Sequence, residues 1–534
     1  MDRREFLLSS VVTGIAASQP RPPASTPDSP APAPVQAFEL EEATLEQLQA
    51  GMRSGRWTSR SITEQYLARI EAVDRAGPRL NSVIEVNPDA VQIAADLDAE
   101  RKAKGPRGPL HGIPVLVKDN LDSGDKMQTT AGSLALVGTP APRDSTVVVK
   151  LREAGAVLLG KTNLSEWANY RSTTSTSGWS GRGGLTLNPY VLDHNACGSS
   201  SGSGAAAAAN LAAISIGTET DGSVVCPSSI CGLVGIKPTV GLVSRAGIIP
   251  ISATQDTAGP MCRTVADAAA VLWAIQGFDP RDPATTPLKT RRLDNWSTGL
   301  SADALRGARL GVARKGFALP PNVDGVLGEA LAALKQLGAV LVDPAEIPNL
   351  GKLDRPETLV LDYEFKAGLA AYFATRGPGF PIRDLADLIA YNTAQRDREL
   401  PWFGQEIFER SVKRGPLSTP EYRRALAECG RLARGLGIDA LLATHRLDAV
   451  IAITAGPSWP SDLVNGDRYT GGCSTPAAVA GYPHVTVPAG MVHGLPVGLS
   501  FFGPAWSEAR LLGFAHAFER ETRQRRAPQF LPKL

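Results

Sequence analysis

The sequence has no excess of charge of either sign. Its 534 residues include 55 lysines and arginines and 53 aspartates and glutamates, which leaves a formal net charge of +2. Such a balance gives no field that would draw nucleic acid or an acidic membrane surface to the protein. It argues against a nucleic-acid partner and favours a small, neutral molecule.

Cysteine is scarce, and none stands in a metal-binding pattern. The chain has 6 cysteines, with no CxxC motif and no cysteine and histidine spacing of the kind that holds zinc. We therefore expect no dense disulfide framework, no metal and no other cofactor. Cys226 and Cys231 could pair in an oxidising compartment, and free buried thiols fit the sequence equally well.

Long hydrophobic runs are missing as well. No segment after the N-terminus reaches the ~18 to 20 apolar residues that a spanning helix needs. At the N-terminus, Arg3 and Arg4 precede an apolar stretch that closes on small residues at 16–18. This is typical of a twin-arginine signal peptide over residues 1–18, with a retained anchor helix as the alternative. We expect a periplasmic or secreted protein that is not attached to a membrane after the signal peptide is cleaved.

Composition divides the rest of the chain into a spacer and a long globular part. Residues 19–37 are rich in proline and poor in hydrophobic residues, which predicts an extended, disordered spacer. Residues 38–534 carry the periodic patterns of a folded domain. Between Thr58 and Val73, apolar residues recur at helical spacing, and Thr58 is a suitable N-cap.

Short β-branched runs alternate with helical patterns from about residue 111 and return near the C-terminus. This alternation predicts an α/β fold, in which a mixed, central twisted β-sheet is covered by helices on both faces. Helical patterns dominate residues 290–445, which predicts a helix-rich lobe. The strand-like runs are GIPVLVK, AVLLGKT, AAISIGTET, LDAVIAIT, HVTVPAG and LPVGLSFFG.

A serine after one of these strands is a candidate nucleophile. In GTETDGSVVCPSS, residues 217–229, Ser223 follows Asp221 and Gly222 at a tight turn. Successive backbone N–H groups at such a turn can converge on one point, as an oxyanion requires. We expect the N–H groups of Thr220, Asp221, Gly222 and Ser223 to form this oxyanion hole. The alternative is an ordinary turn with a helix-capping serine.

A nucleophilic serine needs a base, and lysine fits this sequence better than histidine. Only His111 and His194 lie near the motifs, and neither has an evident carboxylate partner. Lys118 ends the apolar run GIPVLVK, which would carry it into the interior of the sheet. Lysines are commonly solvated, so a structural role for Lys118 is the alternative.

Several segments together resemble the amidase signature family, in order, from about residue 40 to 525. Within the family the chain is most similar to the bacterial peptide amidases, through GKTNLSEWANYR, SGWSGRGG and EFKAGLAAYF. The segments that carry the family resemblance are GPLHGIPVLVKDN, AGAVLLGKTNLSEWA, CGSSSGSGAAAAAN, GTETDGSVVCPSSICGLVGIKPT, GLVSRAGIIPISATQDTAGPMCRTVADAA and AGYPHVTVPAG with GLPVGLSFFG.

The resemblance implies a triad of Lys118, Ser199 and Ser223, with a cis peptide bond before Ser199. It also gives the run HNACGSSSGSGAAAAAN a catalytic meaning, although its composition alone is that of a flexible linker. For the relay to work near pH 7, burial must lower the pKa of Lys118, and Asp119 must face away from it. The family's usual Gly-Gly before the paired serines is Cys197-Gly198 here.

The same resemblance implies hydrolysis of carboxamides to the free acid and ammonia through an acyl-serine intermediate. C-terminal peptide amides are the leading substrates, and aryl or fatty acyl amides are the alternative within the family. A component of a tRNA amidotransferase is the alternative of another class. We expect a monomer acting on a small molecule or short peptide amide, with Asn163, Ser165, Trp167 and Trp459 as candidate substrate-binding residues.

Overall fold

The computed structural model describes residues 37–293 and 295–534. The predicted signal peptide, and all but the last residue of the predicted spacer, lie outside the described residues. Within the described part of the chain, no helix combines the length and the apolar character needed to cross a membrane.

The centre of the fold is an 11-stranded mixed sheet with the strand order β1-β3-β2-β6-β8-β7-β12-β13-β11-β9-β10, and β4 and β5 form a separate pair. The strands are β1 Val83–Val86, β2 Pro114–Lys118, β3 Val157–Thr162, β4 Trp179–Ser180, β5 Gly184–Leu185, β6 Ile214–Glu219, β7 Val234–Lys237, β8 Thr257–Cys262, β9 Arg309–Val312, β10 Val340–Val342, β11 Ala449–Ile453, β12 His484–Val492 and β13 Leu495–Phe502. The strand-like runs of the sequence all contribute to this sheet.

Helices flank the sheet, with α5 packed on β6, α7 on β8 and α16 on β12. The helices are α1 Leu45–Ser54, α2 Ser59–Arg69, α3 Ala90–Lys104, α4 Thr146–Glu153, α5 Ser201–Ala208, α6 Val225–Ile230, α7 Val265–Ile275, α8 Asp324–Gln336, α9 Asp354–Ala374, α10 Leu385–Ala394, α11 Arg396–Glu399, α12 Glu406–Ser411, α13 Pro420–Gly430, α14 Asp439–His445, α15 Thr475–Ala480 and α16 Glu508–Thr522. The predicted α/β class with a mixed central sheet is confirmed.

Local sequence signals explain where several elements begin. Thr58 caps α2 by accepting a hydrogen bond from the backbone N–H of Ser61, and a short π-helical segment, Ile70–Arg75, continues this helix. The stretch 290–445 holds α8 to α14 together with the short strands β9 and β10. The sheet thus reaches into the segment that the sequence describes mainly by helical patterns.

The position of β2 within the sheet determines where the candidate base Lys118 lies. This strand runs parallel to both β3 and β6, and all five of its residues are buried. Parallel strands covered by helices read as continuous apolar runs, which is why PVLV precedes the lysine. Residues at the C-terminal ends of β2 and β6 therefore come to the same edge of the sheet, although about 100 positions separate them.

Candidate active site

Lys118 is the last residue of β2, and its side chain is fully buried. Its Nζ lies 2.7 Å from Ser199 Oγ and 2.9 Å from Thr218 Oγ1, with the carbonyl oxygen of Thr218 at 3.3 Å. Asp119, the next residue, turns to other partners: its carboxylate accepts hydrogen bonds from Thr130 and Arg182. The carboxylate nearest in sequence therefore makes no contact with the amine.

Burial lowers the pKa of Lys118 to about 7, against the weaker opposing influence of the Asp256 and Glu219 carboxyls. A neutral amine has two N–H donors and one lone pair. The hydroxyl and the carbonyl of Thr218 can accept both N–H groups, which directs the lone pair at Ser199 Oγ. This arrangement suits an amine that removes a proton from Ser199.

Ser199 lies in a tight loop before α5, and the peptide bond between Gly198 and Ser199 is cis. A side chain at Gly198 would overlap Ser165 Oγ, so only glycine fits this close approach. Ser165 supports the loop through its backbone N–H, which donates to the carbonyl of Ser199 at 3.1 Å. The four alanines that end α5 are fully buried, which allows the helix to pack closely on the sheet.

Ser223 lies in the turn between β6 and α6 and keeps 8% of its surface exposed. Gly222 adopts a left-handed φ of +77° in this turn, a conformation that favours glycine. The turn is held by Glu219, whose carboxylate accepts hydrogen bonds from the N–H groups of Val224 and Val225 at 2.7 and 2.9 Å. Glu219 thereby fixes the position of the serine.

Two of the three triad candidates are in direct side-chain contact, and the third is hydrogen-bonded to the loop of Ser199 through its backbone. Lys118 and Ser199 share a direct side-chain hydrogen bond. Ser223 meets the same loop through its backbone, because the N–H of Ser200 donates to the carbonyl of Ser223 at 3.2 Å. Within the described residues the Ser223 hydroxyl forms no hydrogen bond, so rotation about its Cα–Cβ bond is unhindered by such a partner.

The turn also presents the backbone donors that the sequence predicts for an oxyanion. No acceptor in residues 37–293 and 295–534 takes the N–H groups of Asp221, Gly222 or Ser223. The N–H of Thr220 likewise has no acceptor among these residues, and the side chain of Thr220 anchors the turn, because its hydroxyl donates to the Asp256 carboxylate at 2.6 Å. Free N–H groups beside a nucleophile are what a developing oxyanion requires.

A cavity of about 280 Å³, here called the cleft, opens beside this turn. Of the four candidate substrate-binding residues, Trp459 is the one that lines it. The cleft is lined by Asn169, Ser177, Cys197, Gly198, Asp221, Gly222, Cys226, Trp459, Asp467, Tyr469, Gly472, Ser474 and Thr475.

The other three candidates support the surrounding loops. Asn163 Nδ2 donates to the carbonyl of Gly184 at 3.0 Å, and Ser165 Oγ accepts from the N–H of Gly178 at 2.8 Å. Trp167 lies in an apolar cluster, where its ring meets Phe373 and Phe408 edge to face at 6.4 and 6.0 Å. Contact of these three with substrate stays a prediction.

Sequence reasoning missed Thr218 and Asn120, which complete the surroundings of the lysine. Asn120 Nδ2 donates to Thr218 Oγ1 at 2.9 Å, so the threonine hydroxyl is held from both sides. Both residues lie in motifs that the sequence singled out, one within two positions of Lys118 and the other on β6. The alternation of side chains along β6 could have identified Thr218 as facing the interior.

A disulfide joins the loop of Ser199 to the helix that follows Ser223. Cys197 precedes Gly198, and its bond to Cys226, 29 positions later, reaches α6 just after Ser223. The pairing of Cys226 with Cys231 that the sequence left open is therefore wrong, and Cys231 is a buried free thiol. Cys231 extends from the far end of α6, whereas Cys226 faces the cleft beside Cys197.

We expect reduction of this disulfide to destabilise the fold. Closing a loop of this length contributes on the order of 3 kcal/mol to the free energy of unfolding. Denaturant unfolding with and without reductant measures the effect, and a C197S/C226S variant, which has no bond to reduce, is the control. Equal unfolding curves for the oxidised and reduced wild-type protein would contradict the expectation.

Known proteins resemble this chain over nearly its whole length. A family model described as Amidase matches residues 61–512. The chain is 42% identical over 504 residues to a probable amidase of Arabidopsis thaliana, covering 92% of this chain and 93% of the relative. It is 35% identical over 506 residues to one subunit of the glutamyl-tRNA(Gln) amidotransferase of Acinetobacter baumannii, covering 91% and 97%. Native peptide amidase from Stenotrophomonas maltophilia shares its fold with a TM-score of 0.89 and 52% identity, covering 92% of this chain and 100% of that chain.

Proposed function

Because this chain belongs to the amidase family and is an amide-hydrolysing enzyme, we propose that its substrates are the C-terminal amides of short peptides. The observation that carries the mechanism is the 2.7 Å hydrogen bond between the buried Lys118 amine and Ser199, beside the turn that bears Ser223. The likeness to a peptide amidase over 92% of the chain supports the choice of substrate.

The reaction begins with two proton transfers. Neutral Lys118 takes the proton of Ser199, and Ser199 takes the proton of Ser223 as the Ser223 oxygen attacks the carbonyl carbon of the amide. The Ser223 hydroxyl turns toward Ser199 for this step. The carbonyl oxygen then carries the negative charge that the backbone N–H groups of the turn 220–223 stabilise, each donor typically by about 3 to 4 kcal/mol.

The intermediate collapses when the carbon–nitrogen bond breaks. The relay returns its proton to the leaving nitrogen, which departs as ammonia and leaves an ester on Ser223. Water then loses a proton to the same relay and attacks the ester, which releases the carboxylic acid and restores the serine. All the groups that this cycle uses come from one chain, so the proposed cycle needs no residue from a partner.

Thr218 is a positioning residue in this cycle, and its loss should lower turnover. In a T218V variant the amine keeps the backbone carbonyl but loses the hydroxyl that fixes one N–H. We expect kcat to fall about 10- to 100-fold, in line with the loss of one or two buried hydrogen bonds. The T218S variant retains the hydroxyl and should keep most of the activity. Full kcat in T218V would remove Thr218 from the mechanism.

An assay of ammonia release tests the proposed substrate. The purified enzyme is offered amidated dipeptides, anilides of similar size and long-chain fatty acyl amides at equal concentrations. We expect kcat/KM to be highest for the peptide amides. A preference for anilides or fatty acyl amides would replace the proposal by the alternative within the family.

A tRNA amidotransferase role is less well supported. The chain is 35% identical to the relative from the amidotransferase and 52% identical to the peptide amidase. Its net charge of +2 also provides little attraction for tRNA, whose phosphates call for a basic surface. Ammonia released from free glutamine, with none from peptide amides, would favour that role.

We further propose that the enzyme is exported by the twin-arginine route. The motif at Arg3 and Arg4 supports this, as does a disulfide, which persists in oxidising compartments. In a bacterial host with this export system, the full chain should yield periplasmic activity, whereas an R3K/R4K variant should keep its activity in the cytoplasm. If the full chain and the R3K/R4K variant divide their activity between periplasm and cytoplasm in the same proportion, export by this route is contradicted.

A further inference from the structure

Two carboxyl groups line the cleft, and no cationic side chain does. Its lining includes the carboxyl groups of Asp221 and Asp467 but no lysine, arginine or histidine. Among the described residues, neither aspartate takes part in an ion pair. A carboxylate that faces a cavity without a cationic partner is a site for a cation supplied from outside.

Asp467 is held in place by neutral donors only. Its Oδ1 accepts from the N–H of Ser177 at 3.1 Å and from Asn195 Nδ2 and Trp459 Nε1 at 3.3 Å each. The same N–H of Ser177 is bifurcated and also donates to Oδ2 at 3.1 Å, and it is the one donor that Oδ2 has among the described residues. One carboxylate oxygen therefore retains capacity to accept a further hydrogen bond.

One of the residues that hold Asp467, Asn195, lies in the loop that bears Ser199. Asn195, which donates to the carboxylate, also accepts a 2.7 Å hydrogen bond from the N–H of Cys197, directly before Gly198. The Asn195 N–H in turn donates to the carbonyl of Trp459 at 2.8 Å. Asp467 is thus fixed relative to the loop that bears Ser199, as a residue that selects substrates must be.

Two further observations point to a bound cation. Trp459 and Tyr469 both line the cleft, with their rings edge to face at 5.7 Å, and aromatic faces attract ammonium groups. The Asp221 carboxyl accepts a hydrogen bond from the Thr475 hydroxyl on Oδ2 at 2.7 Å, whereas its Oδ1 is buried and has no hydrogen-bond partner in the described part of the chain. Burial also raises the pKa of Asp467, as expected of a carboxylate whose charge is not yet paired.

We propose that the cleft selects amides whose acyl part carries a primary ammonium group, and that Asp467 is the residue that recognises it. The proposal rests on the proposed function, since the cleft binds the acyl part of an amide that Ser223 attacks. The ammonium can be the free N-terminus of a short peptide amide or a lysine side chain, and these two sources share the same chemistry.

Two matched substrate pairs test the proposal and distinguish the sources. Glycyl-leucinamide and N-acetylglycyl-leucinamide differ in the charge of the N-terminus, and N-acetyl-lysinamide and N-acetyl-norleucinamide differ in the charge of the side chain. We expect the wild-type enzyme to prefer the cationic member of at least one pair, by about ten- to a hundredfold in kcat/KM, the range of one hydrogen bond to a charged group. The pair that shows the preference identifies the source.

The variant D467N tests the role of the residue. It keeps the size of the side chain and removes its charge, so the preference should fall to within about threefold of unity. The matched control is D462N, which removes a carboxylate that lies on the same loop, outside the lining of the cleft, and that binds Val464 and Asn465. This control should retain the wild-type preference.

The outcomes separate the inference from the proposed function. If the wild-type enzyme hydrolyses both members of each pair equally well, the recognition of ammonium is wrong while peptide amide hydrolysis stands. If D467N lowers both members of a pair by the same factor, Asp467 supports the loop and selects nothing. If the enzyme hydrolyses none of the four amides, the proposed function itself fails. The wild-type comparison remains decisive even if D467N does not fold.

Discussion

Replacing Ser223 by alanine is expected to reduce turnover of amides by about 10⁴-fold or more while leaving the fold intact. In the proposed mechanism the hydroxyl is the attacking group, and without it no acyl-enzyme forms, so only binding and the oxyanion donors remain. The hydroxyl makes no hydrogen bond with the described residues. Its removal should therefore change the free energy of unfolding by less than about 0.5 kcal/mol.

Two measurements check this expectation together. Ammonia release from a peptide amide gives the loss of kcat, and denaturant unfolding gives the stability of S223A against wild type. An electrophilic serine reagent should add its mass to residue 223 in the wild type and not in S223A. The exposed serine at position 301 offers a control, since S301A should retain both activity and labelling. Turnover by S223A within tenfold of wild type would exclude Ser223 as the nucleophile.

Replacing Lys118 by methionine should have a comparable effect on turnover. Methionine fills a similar volume but cannot take a proton from Ser199, so we expect kcat to fall about 10³-fold or more. The exposed lysine at position 126, which pairs with Asp89, provides the control, because K126M should retain full activity. Substantial activity of K118M at pH 8 would show that another group is the base.

The pH dependence of the wild-type enzyme follows from the same group. The amine acts as a base only when it is neutral, and burial lowers its pKa to about 7. We expect kcat/KM to rise about tenfold per pH unit below pH 7 and to level off above it. A profile that is flat between pH 5 and 7 would contradict a lysine base with this pKa.

Stability should change with pH in the region above this pKa. Between pH 7 and about 10, the unfolded chain holds a proton on Lys118 that the folded chain does not. The contribution of Lys118 to the free energy of unfolding therefore increases as the pH rises, by on the order of 4 kcal/mol over that window. K118M lacks the group, so the free energy of unfolding of the wild type should rise steadily relative to that of the variant from pH 7 to 10. A constant difference would mean that the lysine is charged in the folded enzyme.

Much of the candidate site could be predicted because its residues lie in short segments. The run PVLV before Lys118 is apolar because both faces of β2 are covered, so the sequence places a lysine at the end of a buried strand. The turn at Gly222 needs a left-handed residue, and the glycine marks it. Strands and their order along the chain follow from such local patterns.

Contacts between distant segments could not be predicted in the same way. No local pattern says that Cys197 bonds Cys226 rather than leaving both thiols free, or that Asp467 lies against Ser177, some 290 positions away. Trp167 and Trp459 are equally plausible cleft residues by sequence, yet one packs in an apolar cluster and the other lines the cleft. Such outcomes depend on how separate loops meet above the sheet.

The amino-acid sequence by itself determined the secondary structure of the core, the candidates for base, relay and nucleophile, and the family to which the chain belongs. These depend on side-chain type and spacing within short segments, where chain connectivity limits the arrangements. Only the tertiary structure decided the lowered pKa of Lys118, the position of its amine between Ser199 and Thr218, and the presence of two carboxyl groups in the lining of the cleft. Each of these is set by desolvation and by partners from other segments, which come together only when the sheet has formed.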